Sequence, residues 1–387
     1  ECLAASYEQV ASQPLEPADA PRMIGRTLLD PLLPQTKRQH RDTANAEALG
    51  GLRNPHIAVE RLPGWAVLGR ELETVIEEFI QAHWEELDAT LKTVGLPEGV
   101  PPSPSLVLKL REKIRSTLDL PSEEGERKGL QADIFERLVT KSGDPETAVP
   151  RWLATHTPLG IVHEIEACGV FPTLTPEESE ATAQLLTDPV TLGPDFSNYA
   201  SYKEHEADAN AELDRERRLG FAEWAPKRAT LEAKYGPLTP SRVGVLVKEG
   251  EVRRVRLIHD LSRSGVNHRI RLPERLVLPR LNDAMSSIQA LLSDKGSDEE
   301  VELLVLDFKD AFKHLHAHPD ERPFLSGTGL DGWFVYLAVL FGVVSGPLVW
   351  GRVAALVMRA TQALFSDKRG RLQCYVDDPI LAIRGTP

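Results

Sequence analysis

The chain reads as an α+β protein whose helices come first and whose strands come late. Up to Tyr235 the apolar residues recur at helical spacing between proline-rich breaks. Past Tyr235-Gly-Pro237 they gather into short β-branched runs bounded by turn residues. The 387 residues, 41% hydrophobic and 27% charged, are room for two or three domains of ordinary globular composition. A disordered chain, a collagen and a coiled-coil rod are excluded on that ground.

Residues 1–64, rich in proline and mixed charge, predict a loosely ordered lead. Residues 65–195 predict a helical region to which no chemistry can be assigned. Its first helix spans about 66–94, with Leu68, Leu72, Val75, Ile76, Phe79, Leu87 and Leu91 on one stripe. Pro97, Pro101, Pro102 and Pro104 break it. Short helices are predicted over 105–119, 130–140 and 160–168, and another starts at Thr175-Pro-Glu-Glu178, a capping box with proline in the first turn. Residues 199–219, alternating in charge, predict a solvated helix.

The strands follow. Val243–Val247 and Val252–Ile258 form a hairpin around Lys248–Glu251. A helix covers 281–292. Val301–Leu306 is a nearly all-apolar run, as expected of a central strand that delivers Asp307 at its tip. A long apolar helix runs from Leu348 to about Phe365, and strands 372–376 and 379–383 flank a turn at Asp377-Asp378. The twenty uncharged residues between Asp331 and Arg352 are long enough to span a bilayer. Gly342, Ser345, Gly346 and Pro347 interrupt them, so a buried strand, a turn and a helix start are expected there instead.

Net charge is −13, but it is unevenly spread. Residues 1–235 hold 25 Lys/Arg against 40 Asp/Glu, and residues 236–387 hold 20 against 18. Within 242–280 the balance is ten basic to four acidic, a patch suited to a phosphate backbone or simply to solvent. The three cysteines, Cys2, Cys168 and Cys374, have no paired spacing. A disulfide framework is therefore not expected, and an intracellular place, cytoplasm or nucleus and not secreted, is.

Asp307, Asp377 and Asp378 stand at the ends of apolar strands, where unpaired charge costs desolvation energy. A hairpin turn uses Asp for backbone reasons alone. The chemistry that needs such a set is two-metal phosphoryl transfer, in which carboxylates hold two hard divalent cations. His314, His316 and His318 alternate, but a tetrahedral site would need ligands from elsewhere, and a solvated loop edge is the simpler reading. Ser345 lacks a nucleophile elbow, and Cys374 reads as a buried strand residue.

Leu306-Asp-Phe-Lys-Asp-Ala-Phe312, Leu340-Phe-Gly-Val-Val-Ser-Gly-Pro347 and Tyr375-Val-Asp-Asp378 resemble, in this order, three motifs of reverse transcriptases of retrotransposon-type polyproteins. The Arg-rich hairpin ending Arg256-Leu-Ile-His-Asp-Leu-Ser262, with Asn267 after it, extends the resemblance. It implies a palm-and-fingers polymerase core with an antiparallel palm sheet over residues 196–387, truncated, with the thumb absent and further polyprotein domains downstream. It implies RNA-directed DNA polymerase activity on a primed RNA or DNA template with dNTPs, and two Mg²⁺ ions for which Mn²⁺ can substitute. Asp307, Asp377 and Asp378 would be the catalytic metal ligands. Arg256, with Arg253 or Arg254, would grip the triphosphate, Phe312 would exclude a 2′-hydroxyl, and Phe341-Gly342 would touch the nascent base pair. No membrane partner is implied. Pro379 departs from an ordinary ladder residue, so the second strand must begin there or lie at an edge. The rival reading is a catalytically silent nucleic-acid-binding module derived from a polymerase.

Overall fold

The computed structural model describes residues 63–93, 102–123, 129–184, 197–250, 253–293, 296 and 298–385. The lead expected over 1–64 lies outside them except for its last two residues, as do Pro97, Pro101 and residues 251–252 of the hairpin turn. Within the described residues the fold is a mixture of helices and three small antiparallel sheets.

The helical part comprises α1 (Pro63–Ala82), α2 (Trp84–Leu91), α3 (Pro104–Thr117), α4 (Ala132–Ser142), α5 (Ala148–Ala154) and α6 (Pro176–Gln184). The single helix expected over 66–94 is divided at His83, and Leu91, placed on the apolar stripe, is exposed. The stripe is real along α1, where Trp65, Leu68, Leu72 and Phe79 are buried. Ser103 caps α3 by accepting from the Leu106 N–H, and Gly143 ends α4 at φ +69. The capping box forms as expected: Glu178 N–H donates to Thr175 Oγ1, and Thr175 N–H donates to Glu178 Oε2.

The helix expected over 160–168 does not form. Carboxylates from distant segments capture the N–H groups it would need. Buried Glu321 accepts from Leu159, Ile161, Val162 and His163, and Glu274 accepts from Cys168 and Gly169. The solvated helix expected over 199–219 is two helices, α7 (Ala200–Glu204) and α8 (Glu206–Arg218), which bury Tyr202, Ala209, Leu213 and Glu216.

β1 (Ala222–Ala225) and α9 (Arg228–Tyr235) lead into the hairpin β2 (Arg242–Lys248) and β3 (Arg254–Asp260), in which Leu246 faces Arg256. Then come α10 (Leu281–Ser293), β4 (Glu300–Val305), β5 (Ser326–Gly329), β6 (Gly332–Tyr336), α11 (Gly346–Gln362), β7 (Gly370–Tyr375) and β8 (Asp378–Gly385). One sheet is ordered β1-β6-β5, another is the β2–β3 hairpin, and the third is ordered β4-β8-β7. β8, and not β4 as expected, is thus the central strand: β4 lies at the edge with Leu303 and Val305 exposed, and Pro379 is tolerated as the second residue of β8. The uncharged stretch after Asp331 supplies β6 and the start of α11, as expected, and no described helix is long and apolar enough to cross a membrane.

The β4-β8-β7 sheet is covered on both faces at β7. Gln373 donates to Ser287 of α10 at 2.9 Å. Leu372 and Cys374, which alternate with it, join the core that holds Val349, Trp350 and Val353 of α11. That core also contains Trp65, Phe135 and Trp152 from the helical part. Two buried arginines of α11 bind across it. Arg352 is bidentate to Glu146 at 2.6 and 2.7 Å, and Arg359 is bidentate to Asp144 at 2.6 and 2.8 Å.

Candidate active site

The β7–β8 hairpin closes through Val376 and Asp377, with Tyr375 facing Asp378 across the ladder. The turn expected at Asp377-Asp378 is therefore displaced by one residue, because Asp378 already belongs to β8. Val376 sits at φ +59, a region that glycine favours and β-branched residues rarely enter. Trp350 of α11 supports that turn, its indole N–H donating to the Val376 carbonyl at 2.9 Å. The same indole meets the Phe308 ring edge-on, with centroids 5.3 Å apart. No sequence motif announces this role of Trp350.

The backbone leaving β4 is fastened to the turn on either side of Asp307. Leu306 N–H donates to Pro379 O and Phe308 N–H donates to Asp377 O, both at 2.9 Å. The tip of one strand and the turn of the hairpin thus put Asp307 and Asp377 side by side, with Asp378 next in the ladder. Burial first, then the charges of Asp378 and Asp307, push the Asp377 carboxyl above the usual aspartate range, opposed by its own backbone N–H and, less, by Arg256. Mutually repelling oxygen donors suit a hard cation. Asp307, Asp377 and Asp378 do not, however, bring three ligand atoms within 4.8 Å of one another. Their fit to a cation rests on charge and oxygen chemistry, not on a preformed cage. Burial and the two adjoining aspartates push the Cys374 thiol up to about 12, so it stays neutral and inert.

Arg254 and Arg256 are exposed on one face of the β2–β3 hairpin, alternating with buried Leu257 and His259. Among the described residues neither has a carboxylate partner. Arg253, the other candidate for a second phosphate contact, is bidentate to Asp208 at 2.5 and 2.8 Å and also binds Glu249. Arg254 is therefore the freer of the two.

Phe312 follows a turn in which Asp310 has φ +54, and is 5% exposed. Its ring lies 4.8 Å from that of Phe341, which is 57% exposed. The residues expected at the sugar and at the base pair are thus neighbours. Gly342 has φ +112, and a Cβ there would lie 2.3 Å from the His259 carbonyl oxygen, so only glycine fits. Asn267 secures this loop, donating to Gly342 O at 2.8 Å and accepting from Val344 N–H at 3.1 Å. Ser345 is buried and donates to Leu159 O, so it is no nucleophile. His314 and His316 are exposed, as a loop edge requires, while His318 is half-buried.

No family model matches the chain, and no curated protein matches it. Among solved structures, the crystal structure of a prototype foamy virus protease–reverse transcriptase mutant is similar over 50% of this chain, at 15% identity and a TM-score of 0.33. The chain spans 22% of the length of that one.

Proposed function

We propose that the chain carries the fingers and palm of an RNA-directed DNA polymerase. The observation that supports this best is the strand-tip and hairpin arrangement of Asp307, Asp377 and Asp378, with the charge of Arg256 felt at Asp377. The first and third motifs meet through the Leu306 and Phe308 backbone bonds to the hairpin, and the first and second meet where the Phe312 and Phe341 rings pack.

Two divalent cations, Mg²⁺ or Mn²⁺ in its place, would activate the attacking 3′-hydroxyl and offset charge on the leaving oxygen. Asp307 and Asp377 would hold them, with Asp378 in support. Arg256 and Arg254 present planar forks to triphosphate oxygens, where bidentate hydrogen bonds orient the transferring group. Phe312, packed on Phe341, sets the wall against which a deoxyribose fits, and Gly342 lets backbone approach the base pair. The substrate would be a dNTP added to a primer on an RNA or DNA template.

The test is primer extension on an RNA template with dNTPs and Mg²⁺, comparing the chain with its Asp377→Asn counterpart. Incorporation that falls to background in the variant is the expected result. Because burial and the neighbouring aspartates disfavour the charged form of Asp377 in the fold, the neutral variant should keep or raise its melting temperature. A folded variant extending primers at the parental rate refutes the assignment. Absence of extension by both, with salt-sensitive RNA binding, favours a silent binding module.

A further inference from the structure

A second cluster of ligating side chains lies away from the aspartates. His163, His318 and Asp320 place one ligand atom each within 4.8 Å of one another. His163 Nε2 lies 2.8 Å and His318 Nδ1 3.7 Å from Asp320 Oδ2, and the two imidazole rings are 3.8 Å apart. Three atoms so placed share a point no more than about 2.8 Å from each, against zinc–ligand bonds of about 2.0–2.2 Å, so small side-chain rotations close the set. Two imidazoles and a carboxylate form a borderline-soft donor set that suits a transition metal better than Mg²⁺.

The backbone beneath is already organised. His163 is 155 residues from His318 in sequence, yet its loop is fastened to the Pro319–Phe324 turn from several sides. Thr157 N–H donates to His316 O at 2.7 Å, and His318 N–H donates to Thr157 O at 3.0 Å. Glu321, fully buried beside Asp320, accepts four N–H groups from Leu159, Ile161, Val162 and His163. Such support holds ligands in place before an ion arrives. His163 and His318 line a cleft of about 1120 Å³ together with His156, whose ring is 6.2 Å from that of His318. A fourth position is thus reachable from solvent.

We propose that His163, His318 and Asp320 bind one divalent transition-metal ion of the zinc class, which clamps the 157–163 loop to the 316–321 turn. The outside ligands that the histidine run lacked are His163 and Asp320, while His314 and His316 stay outside the set.

The experiment is a competition titration of the full chain with Zn²⁺ against a chromophoric chelator, alongside Co²⁺ substitution read by visible absorption. One ion per chain is expected, with affinity lowered at least ~tenfold in each of His163→Ala, His318→Ala and Asp320→Asn. His314→Ala and Asp377→Asn should leave it unchanged, which separates this site from the aspartates. Absence of stoichiometric zinc in the parent overturns the proposal, as does undiminished affinity in folded His163→Ala and His318→Ala. The readout is metal binding, so it stands or falls independently of polymerase activity.

Discussion

Replacing Arg359 with Met isolates the energetic link between α11 and the helical part. Asp144 and Arg359 are almost wholly buried, 0% and 2% exposed at their side chains. The carboxylate accepts from Arg359 at 2.6 and 2.8 Å, from the Trp65 indole at 2.8 Å and from Glu146 N–H at 2.9 Å. Methionine matches the aliphatic stem but strands the negative charge. Removing one partner of a buried pair costs about 3–5 kcal/mol. Asp144 keeps two N–H donors, which places the cost near the lower end, about 3 kcal/mol. Adding Asp144→Asn removes the orphaned charge while leaving an oxygen for Trp65, so the double variant should regain a large part of the loss. Urea unfolding of parent, both single variants and the double gives the coupling energy directly. If Arg359→Met changes stability by less than ~1 kcal/mol, or if the double variant is as unstable as the sum of the singles, the pair is not coupled and the reasoning fails.

Two further outcomes are expected. Phe312→Ala should raise ribonucleotide incorporation relative to deoxynucleotide, a ratio in which loss of folded protein cancels, while costing about 3–5 kcal/mol of stability because the ring is buried. Unchanged sugar selectivity would leave Phe312 as core packing alone. Burial, helped by Lys313, holds the His259 imidazole far below its ordinary value of 6.5, at about 3. A depressed histidine favours the neutral form in the fold, so its contribution is complete above 6.5 and is lost as pH falls from there toward 3. The slope is about 1.4 kcal/mol per pH unit, or roughly 2 kcal/mol by pH 5. Urea midpoints at pH 7.5 and 5 should converge in His259→Phe relative to the parent; an equal acid loss in both would assign the effect elsewhere.

What the sequence discloses is what local physics decides. The β2–β3 hairpin, α10, α11, the β7–β8 hairpin and the Thr175 capping box all depend on residues within a few positions of one another, and all stand within three residues of where the pattern puts them. Residues 160–168 carry a helical pattern too, but their N–H groups go to Glu321 and Glu274, more than one hundred positions away. β5 is Ser-Gly-Thr-Gly, in which two glycines outweigh the β propensity of Thr328 alone. Its glycines make room for neighbouring side chains: a Cβ at Gly327 would lie 2.5 Å from the Phe334 ring and one at Gly329 2.4 Å from Leu213 Cδ1, so those side chains would have to shift. At the candidate site the aspartates, Phe312 and the Phe341-Gly342 loop were legible as motifs. Trp350 under the turn and His163 beside His318 were not, because only the folded chain brings them there.

The upstream helices have no chemistry of their own in the sequence, yet α11 gives them a physical role at the site. Ser345, Arg352 and Arg359 are spaced by seven, two turns of helix, and so share one face. Each bonds to the segment before residue 196: to Leu159 O, Glu146 and Asp144. Trp350, two residues before Arg352 and therefore on nearly the opposite side, reaches Val376 in the aspartate turn. One helix is thus anchored upstream on one face and supports the turn with the other. A chain beginning at residue 196 would retain every motif residue but strip Arg359 of its carboxylate, leave Arg352 with Glu274 alone, 3.7 Å away, and uncover the face of α11 that packs on the upstream helices. The expected outcome is loss of cooperative unfolding and of primer extension together, seen by urea denaturation and by activity on the same sample. A cooperative, active chain from 196 onward would show that the aspartate turn does not depend on the upstream helices.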